Sequence, residues 1–381
     1  MVVKSHHRLW QSVQAEDLVD YLKLLGWKSV TPADKRWLVF HGGRDIKGNS
    51  LEVVLPKDIK AYDYSLYLEN TVKLLSDLYE DDCEAIVKKI RFHDTDLLTI
   101  RDLAAEEGDS ITLELAAKQM RQLKRLVTYS ASSENDPRPH FEEPPDVAKL
   151  MTDHYRFGHT FPGSFSFVVE SQLVHKPKTL LRNGVEKVIL LPIERRVMER
   201  IIRGLQTVQQ ATAAQDLSSL VEGYTVGFNA EMCKAVAKMS GDSRIPIEFN
   251  VLWSLKVAPS PEISETGPIL LEETSYEYLE EASRALRGYE PEITTVRGYV
   301  VSVGSKDNML ESGDTAGSVV IEWMDSPDDE PIHLVVFLDR KDYATACKAS
   351  ESSTVTEVKG SIHKVGDLWR LSAAHDFRIV D

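Results

Sequence analysis

Thr295-Val-Arg-Gly-Tyr-Val-Val-Ser-Val303, Gly317-Ser-Val-Val-Ile-Glu-Trp-Met324 and Ile332-His-Leu-Val-Val-Phe-Leu338 are three β-rich runs, parted by polar stretches. Alternation and β-branched content predict a strand for each. Asp339-Arg-Lys-Asp-Tyr-Ala-Thr-Ala-Cys-Lys-Ala349 then predicts a short helix with Asp339 as its N-cap. Val355-Thr-Glu-Val-Lys-Gly-Ser-Ile362 and Leu368-Trp-Arg-Leu-Ser372 give two further strands, and Gly360 stands mid-strand where a sheet bends. The order is therefore strand, strand, strand, helix, strand, strand.

That order within residues 294–381 resembles the OB-fold, a five-stranded barrel. The resemblance implies oligonucleotide or oligosaccharide binding on the face of strands 2 and 3 and in the loops after strands 1 and 4, here about Lys306 to Ala316 and Lys364 to Asp367. On strand 1, alternation puts Arg297 and Tyr299 on one face and Val296, Gly298 and Val300 on the other. A base-stacking surface needs exposed aromatic rings beside cations. Tyr299, Trp323, His333, Trp369, Arg297 and Arg370 are the supply, although tryptophans in a small barrel more often fill its core. An OB barrel can also dock a protein, and fold alone does not choose.

Working outward, Arg287-Gly-Tyr-Glu-Pro-Glu292 combines glycine, proline and charge and reads as a linker before the barrel. Residues 111–293 predict a second α+β domain. Ile111-Thr-Leu-Glu-Leu-Ala-Ala117 opens an amphipathic helix, helices are expected at about 193–213 and 229–239, and strands at Gly163 to Ser171 and Ile245 to Val257. Ser130 to Pro145 is polar and proline-rich, which predicts a loop. Residues 1–110 predict a small α+β domain, with a helix ending at Gly26, two strands around the turn-rich His41 to Asn49, two helices, and a strand at Leu97-Leu-Thr-Ile100. No clear linker lies near residue 110, so these two units can share a sheet. The expected class is α+β: mixed N-terminal and central units followed by a five-stranded barrel.

The 381 residues carry 45 Lys and Arg against 60 Asp and Glu, a net charge of −15. The acidity is spread as −5, −4 and −6 over residues 1–110, 111–293 and 294–381. Broad attraction to phosphate is disfavoured, so any nucleic-acid contact requires a local basic patch. Two helices offer one. Lys118, Arg121 and Arg125 repeat at helical spacing, as do Arg196, Arg200 and Arg203. Side by side these faces would form a positive surface; alternatively they are solvated and balanced by Glu114, Glu194 and Glu199.

Candidate chemistry is sparse. Asp45, Glu52 and Lys57 faintly resemble the acid, acid, lysine arrangement of metal-dependent nucleases, but Val53 and Val54 follow Glu52, so the usual Glu-x-Lys spacing is missing. His93, Asp94 and Asp96 similarly suggest a phosphohydrolase without its further histidines. No P-loop, dinucleotide fingerprint or nucleophile elbow occurs. Cys83, Cys233 and Cys347 are too dispersed for a metal-binding pair or a disulfide framework, and Cys233 sits on an apolar helical stripe. No apolar run is long enough to span a membrane, and the first residues lack a signal-peptide core, so a cytoplasmic location is expected, with no cofactor or metal.

A Gly26-Trp27 pair, Ile111-Thr-Leu-Glu-Leu-Ala-Ala117, Arg138-Pro139, Phe157-Gly-His-Thr160, Gly163-Ser-Phe165 and Asp342-Tyr-Ala344 occur in an order that resembles a group of uncharacterised bacterial proteins with a terminal barrel. The resemblance implies anti-phage or mobile-element gene neighbourhoods and carries no catalytic residues. The expected function is a non-enzymatic binding or adaptor subunit of a hetero-oligomeric complex, contacting nucleic acid or a protein partner. The alternative is a metal-dependent nuclease or phosphohydrolase using Asp45 and Glu52.

Overall fold

A computed structural model describes residues 13–103, 111–158, 166–181, 187–304, 315–325, 332–365 and 368–380. The chain divides into two compact units, one of residues up to 96 with 253–258, the other of 97–252 with 259–381.

In the first unit, helix α1 (Ala15–Leu24) buries Leu18, Tyr21 and Leu22 and ends at Gly26, whose φ of 82° lies in the left-handed region glycine favours. Strands β1 (Lys28–Val30), β2 (Trp37–Arg44) and β3 (Ser50–Pro56) form an antiparallel meander. Helices α2 (Tyr64–Tyr79) and α3 (Cys83–Arg91) follow, and their apolar stripes join Trp27, Phe40 and Leu55 in one core.

Strand β4 (Thr95–Asp102), predicted at the end of the N-terminal unit, supplies the middle of the second unit's sheet, in line with the expectation that the second sheet can include strands of the first. Helix α4 (Leu113–Asn135) starts at Thr112, whose hydroxyl accepts from the Leu115 N–H. It runs six residues, Ser130 to Asn135, into the stretch predicted as a loop. Ser130, Ser132, Ser133 and Glu134 are all buried there, and the Ser130 and Ser132 hydroxyls donate to carbonyls four residues back. The polar composition marks close packing, not exposure. Helix α5 (Asp146–Thr152) leads into β5 (Arg156–Gly158), β6 (Ser166–Gln172) and the hairpin of β7 (Lys178–Leu181) and β8 (Lys187–Leu190). Helices α6 (Ile193–Ala214), α7 (Ser218–Glu222) and α8 (Ala230–Met239) precede β9 (Ile247–Leu252), α9 (Pro261–Ser264), β10 (Ile269–Leu271) and α10 (Glu273–Arg287). The sheet order is β10-β9-β4-β6-β5, and α8 packs against both α4 and α10.

The C-terminal strands β11 (Thr294–Val303), β12 (Thr315–Trp323) and β13 (Ile332–Asp339), helix α11 (Arg340–Ser352), and strands β14 (Val355–Val365) and β15 (Leu368–Ile379) follow the predicted order. They form a closed barrel, β11-β12-β13-β15-β14, with β13 and β15 parallel, consistent with an OB-like barrel. The Asp339 side chain caps α11 by accepting from the Asp342 N–H, and Tyr343, Ala346 and Ala349 enter the barrel core. Gly360 falls where the β14–β15 register shifts, and a Cβ there would stand 2.6 Å from the Ser372 carbonyl oxygen. The molecule is thus α+β, with 97–252 and the barrel in one compact unit. No described helix is long and apolar enough to cross a membrane.

Candidate functional site

The two basic helices have different fates. On α6, Arg200 is fully buried. Its Nε donates to Glu134 Oε1 at 2.6 Å, and its two terminal nitrogens donate to the carbonyls of Tyr224, Thr225 and Gly227 at 2.8–3.2 Å. Arg196 reaches Glu134 Oε2 at 3.3 Å, while Arg203 donates to Glu199 at 2.7 Å and Glu262 at 3.0 Å. Arg370, on β15 of the barrel, is also buried and donates to the Glu134 carbonyl oxygen at 2.9 Å. Arg196, Arg200 and Arg203 therefore do not form the solvent-facing surface that their spacing suggested, and Arg370 is not the exposed cation that a stacking surface on the barrel would need. Guanidiniums so desolvated need anions, and the carboxylates of Glu134, Glu199 and Glu262 supply them.

Burial alone would raise the Glu134 carboxyl, but Arg200, Arg196 and Arg370 outweigh it and hold its pKa at about 2. Burial lowers Arg370 to about 10, which leaves it charged at neutral pH. His363, buried alongside with neither ring nitrogen bonded to a described residue, is pushed down to about 3 by burial and by the Arg370 and Arg200 charges. Two residues beyond Glu134, Asp136 Oδ1 accepts the Ala373 N–H at 2.6 Å. The end of α4 thus clamps β15 of the barrel.

On α4 the basic residues face outward. Arg121 is exposed, Arg125 lies over the Tyr129 ring with its guanidinium carbon 5.3 Å from the centroid, and Lys118 pairs with Asp242 at 2.7 Å. Lys124, one residue from Arg125, is exposed too. Helix α8 runs antiparallel beside them. At one end Asn229 Nδ2 donates to the Tyr129 carbonyl and the Ser133 hydroxyl, and Ser130 meets Met232; at the other, Asp242 meets Lys118. That register sets Lys234 near Arg125, whose charge it feels, and Lys238, one turn further on, at the level of Arg121. Lys234 and Lys238 are the exposed residues of α8, whose remaining positions are buried. The positive charge of Lys238, burial, and the charges of Arg287 and Arg125 lower the Lys234 pKa, the effect of cations gathered on one surface. Among the described residues, Arg121, Lys124, Arg125, Lys234 and Lys238 have no ion-pair partner. Sequence reasoning missed Lys234 and Lys238. Their signal was visible: two lysines four apart in a helix otherwise composed of residues that bury.

The barrel residues offer less. Arg297 and Tyr299 point outward as alternation predicts, but Arg297 Nε donates to Glu357 at 2.8 Å. Trp323 and Trp369 pack against the barrel core. Of the two predicted barrel loops, residues 305–314 and 366–367 lie outside the described residues, as do His159, Thr160 and Gly163 to Phe165.

The proposed acidic sites have structural work. Asp45 accepts from the Lys47 and Asn49 N–H groups and the Asn49 side chain to shape the β2–β3 turn, while Glu52 pairs across the hairpin with His41 at 2.9 Å. Asp96 accepts the Ser254 N–H at 2.8 Å, and the His93 carbonyl accepts the Ser254 hydroxyl, which fixes the returning segment 253–258. Among the described residues no group of three or more His, Cys, Asp or Glu is placed to hold a metal. Cys233 is fully buried, and burial pushes its thiol well above the usual range, where no reactive thiolate forms. No family model, curated protein or solved structure matches the chain, so the chemistry of the α4–α8 surface is the guide to its function.

Proposed function

We propose that the protein is a non-enzymatic binding or adaptor subunit that contacts nucleic acid through the α4–α8 surface. One observation carries this: in a chain of net charge −15, Arg121, Lys124, Arg125, Lys234 and Lys238 gather on adjoining helix faces without carboxylate partners among the described residues. Unpaired, clustered cations on one side of an acidic molecule are the footprint of a polyanion contact, and acidity elsewhere confines the ligand to that side. The other arginine helix supports the same view by contrast, since its cations are neutralised within the fold. The OB-like barrel is held to the end of α4 and provides a second surface, on which Tyr299 is the exposed aromatic residue of β11. That surface suits a protein partner, which makes the molecule an adaptor.

Fluorescence anisotropy with labelled single- and double-stranded DNA and RNA tests the proposal. Arg121→Glu and Lys238→Glu should each weaken binding at least tenfold, because each replaces attraction by repulsion at a phosphate. Lys73→Glu, on α2 of the first unit, should leave it unchanged. Equal affinity in all three variants would reject the surface.

A further inference from the structure

Beside the basic face, on the same helix, lies a groove of about 350 Å³ bounded by α4, the end of α5, β5 and β6. Leu123, Val127 and Val169 line it. Phe157 stands at its side with 55% of its surface exposed, unusual for a phenylalanine on a sheet strand. Its ring is braced edge-on by buried Phe167, with centroids 5.6 Å apart and planes at 62°, so the ring is fixed while part of it stays open. Lys124 and Arg156 line the same groove, both exposed and without an ion-pair partner among the described residues. Asp153 adds one hydrogen-bond acceptor.

Resting on the nucleic-acid reading above, we propose that this groove seats one unstacked base of a single-stranded nucleic acid, with Phe157 as the stacking ring and Lys124, Arg156 and Arg121 holding the flanking phosphates. The volume is at the small end of ligand pockets and suits a base with its sugar outside. Every base has a π-face, so stacking on a phenyl ring is tolerant of sequence. Asp153 can accept from a base's exocyclic amine, as carboxylates do from cytosine. Lys124 lies between the groove and Arg125 on α4, so a strand following that helix meets cations along its backbone while a base turns into the groove. A duplex keeps its bases stacked and could not fill it. An apolar acidic peptide is the competing occupant. Two cations and an open aromatic ring lining one groove favour alternating phosphate and base.

The test uses the full chain and a short oligodeoxynucleotide carrying 2-aminopurine at its centre, alone and annealed to its complement. The proposal expects tighter binding of the single strand and quenching of 2-aminopurine on binding. Phe157→Ala should lose about tenfold in single-strand affinity and abolish the quenching, with duplex affinity unchanged and Phe157→Trp restoring both losses. Unquenched 2-aminopurine, an unaffected Phe157→Ala variant, or equal losses on single strand and duplex would overturn the groove assignment. If Arg121→Glu still abolished binding in that case, the basic surface would stand without it. Failure of both strands to bind, with an acidic apolar peptide binding in a Phe157-dependent way, would overturn the groove and the nucleic-acid reading together.

Discussion

Glu134 is one carboxylate set among Arg196, Arg200 and Arg370, and its value lies in what its removal would leave behind. Glu134→Gln keeps the volume but strands two fully desolvated guanidiniums, so it should cost about 3–5 kcal/mol in urea unfolding at neutral pH. A variant as stable as the parent would show that the arginines are compensated elsewhere. The pH dependence follows from two depressed pKa values. The Glu134 carboxyl titrates at about 2 in the fold against 4.5 when free, so its contribution is complete above 4.5 and is lost as pH falls towards 2. His363 acts in the same direction at higher pH. The fold keeps it neutral down to about 3, whereas the unfolded chain takes up its proton below about 6.5, so acid favours unfolding throughout that window. At pH 5 the histidine should account for about 2 kcal/mol of lost stability. Unfolding midpoints at pH 7 and 5 should therefore converge in His363→Leu, and an unchanged gap would place the acid sensitivity in other groups.

Among elements, α8 depends on Asn229. Its Oδ1 accepts the Met232 N–H to cap the helix, and its Nδ2 ties the cap to α4 through Tyr129 and Ser133. Asn229→Ala removes the cap and orphans buried groups, which should cost about 2–3 kcal/mol and weaken nucleic-acid binding by releasing Lys234 and Lys238 from their register with α4. Binding that survives full strength at this stability loss would mean that the lysines act without that register. The barrel strands were legible in the sequence because each alternates between core and solvent, and a one-residue error would have put Val296 and Val300 outside. The burial of Arg200 was not legible. Its spacing with Arg196 and Arg203 is what a solvated basic face would show, and its anion Glu134 lies 66 residues away on a stretch composed like a loop. The serines of that stretch are there because small side chains let α8 approach, a tertiary cause that local composition does not carry. The same pairing hid the candidate surface: Arg121 and Arg125 were visible on α4, but only the packing of α8 sets Lys234 and Lys238 beside them.

At the scale of the whole molecule, an acidic chain gathers cations without ion-pair partners among the described residues on the α4–α8 surface and clamps a closed barrel to the end of α4. Polyanion binding to such a surface releases counterions, so affinity must fall with salt in proportion to the phosphates neutralised. The most direct test is the dependence of log affinity on log salt concentration for a labelled single strand, for the parent and for Lys238→Ala. Contact by Arg121, Lys124, Arg125, Lys234 and Lys238 predicts a slope of about −3.5, shallower by about 0.7 in Lys238→Ala. A slope near zero, or the same slope in both proteins, would contradict the claim that this surface holds nucleic acid.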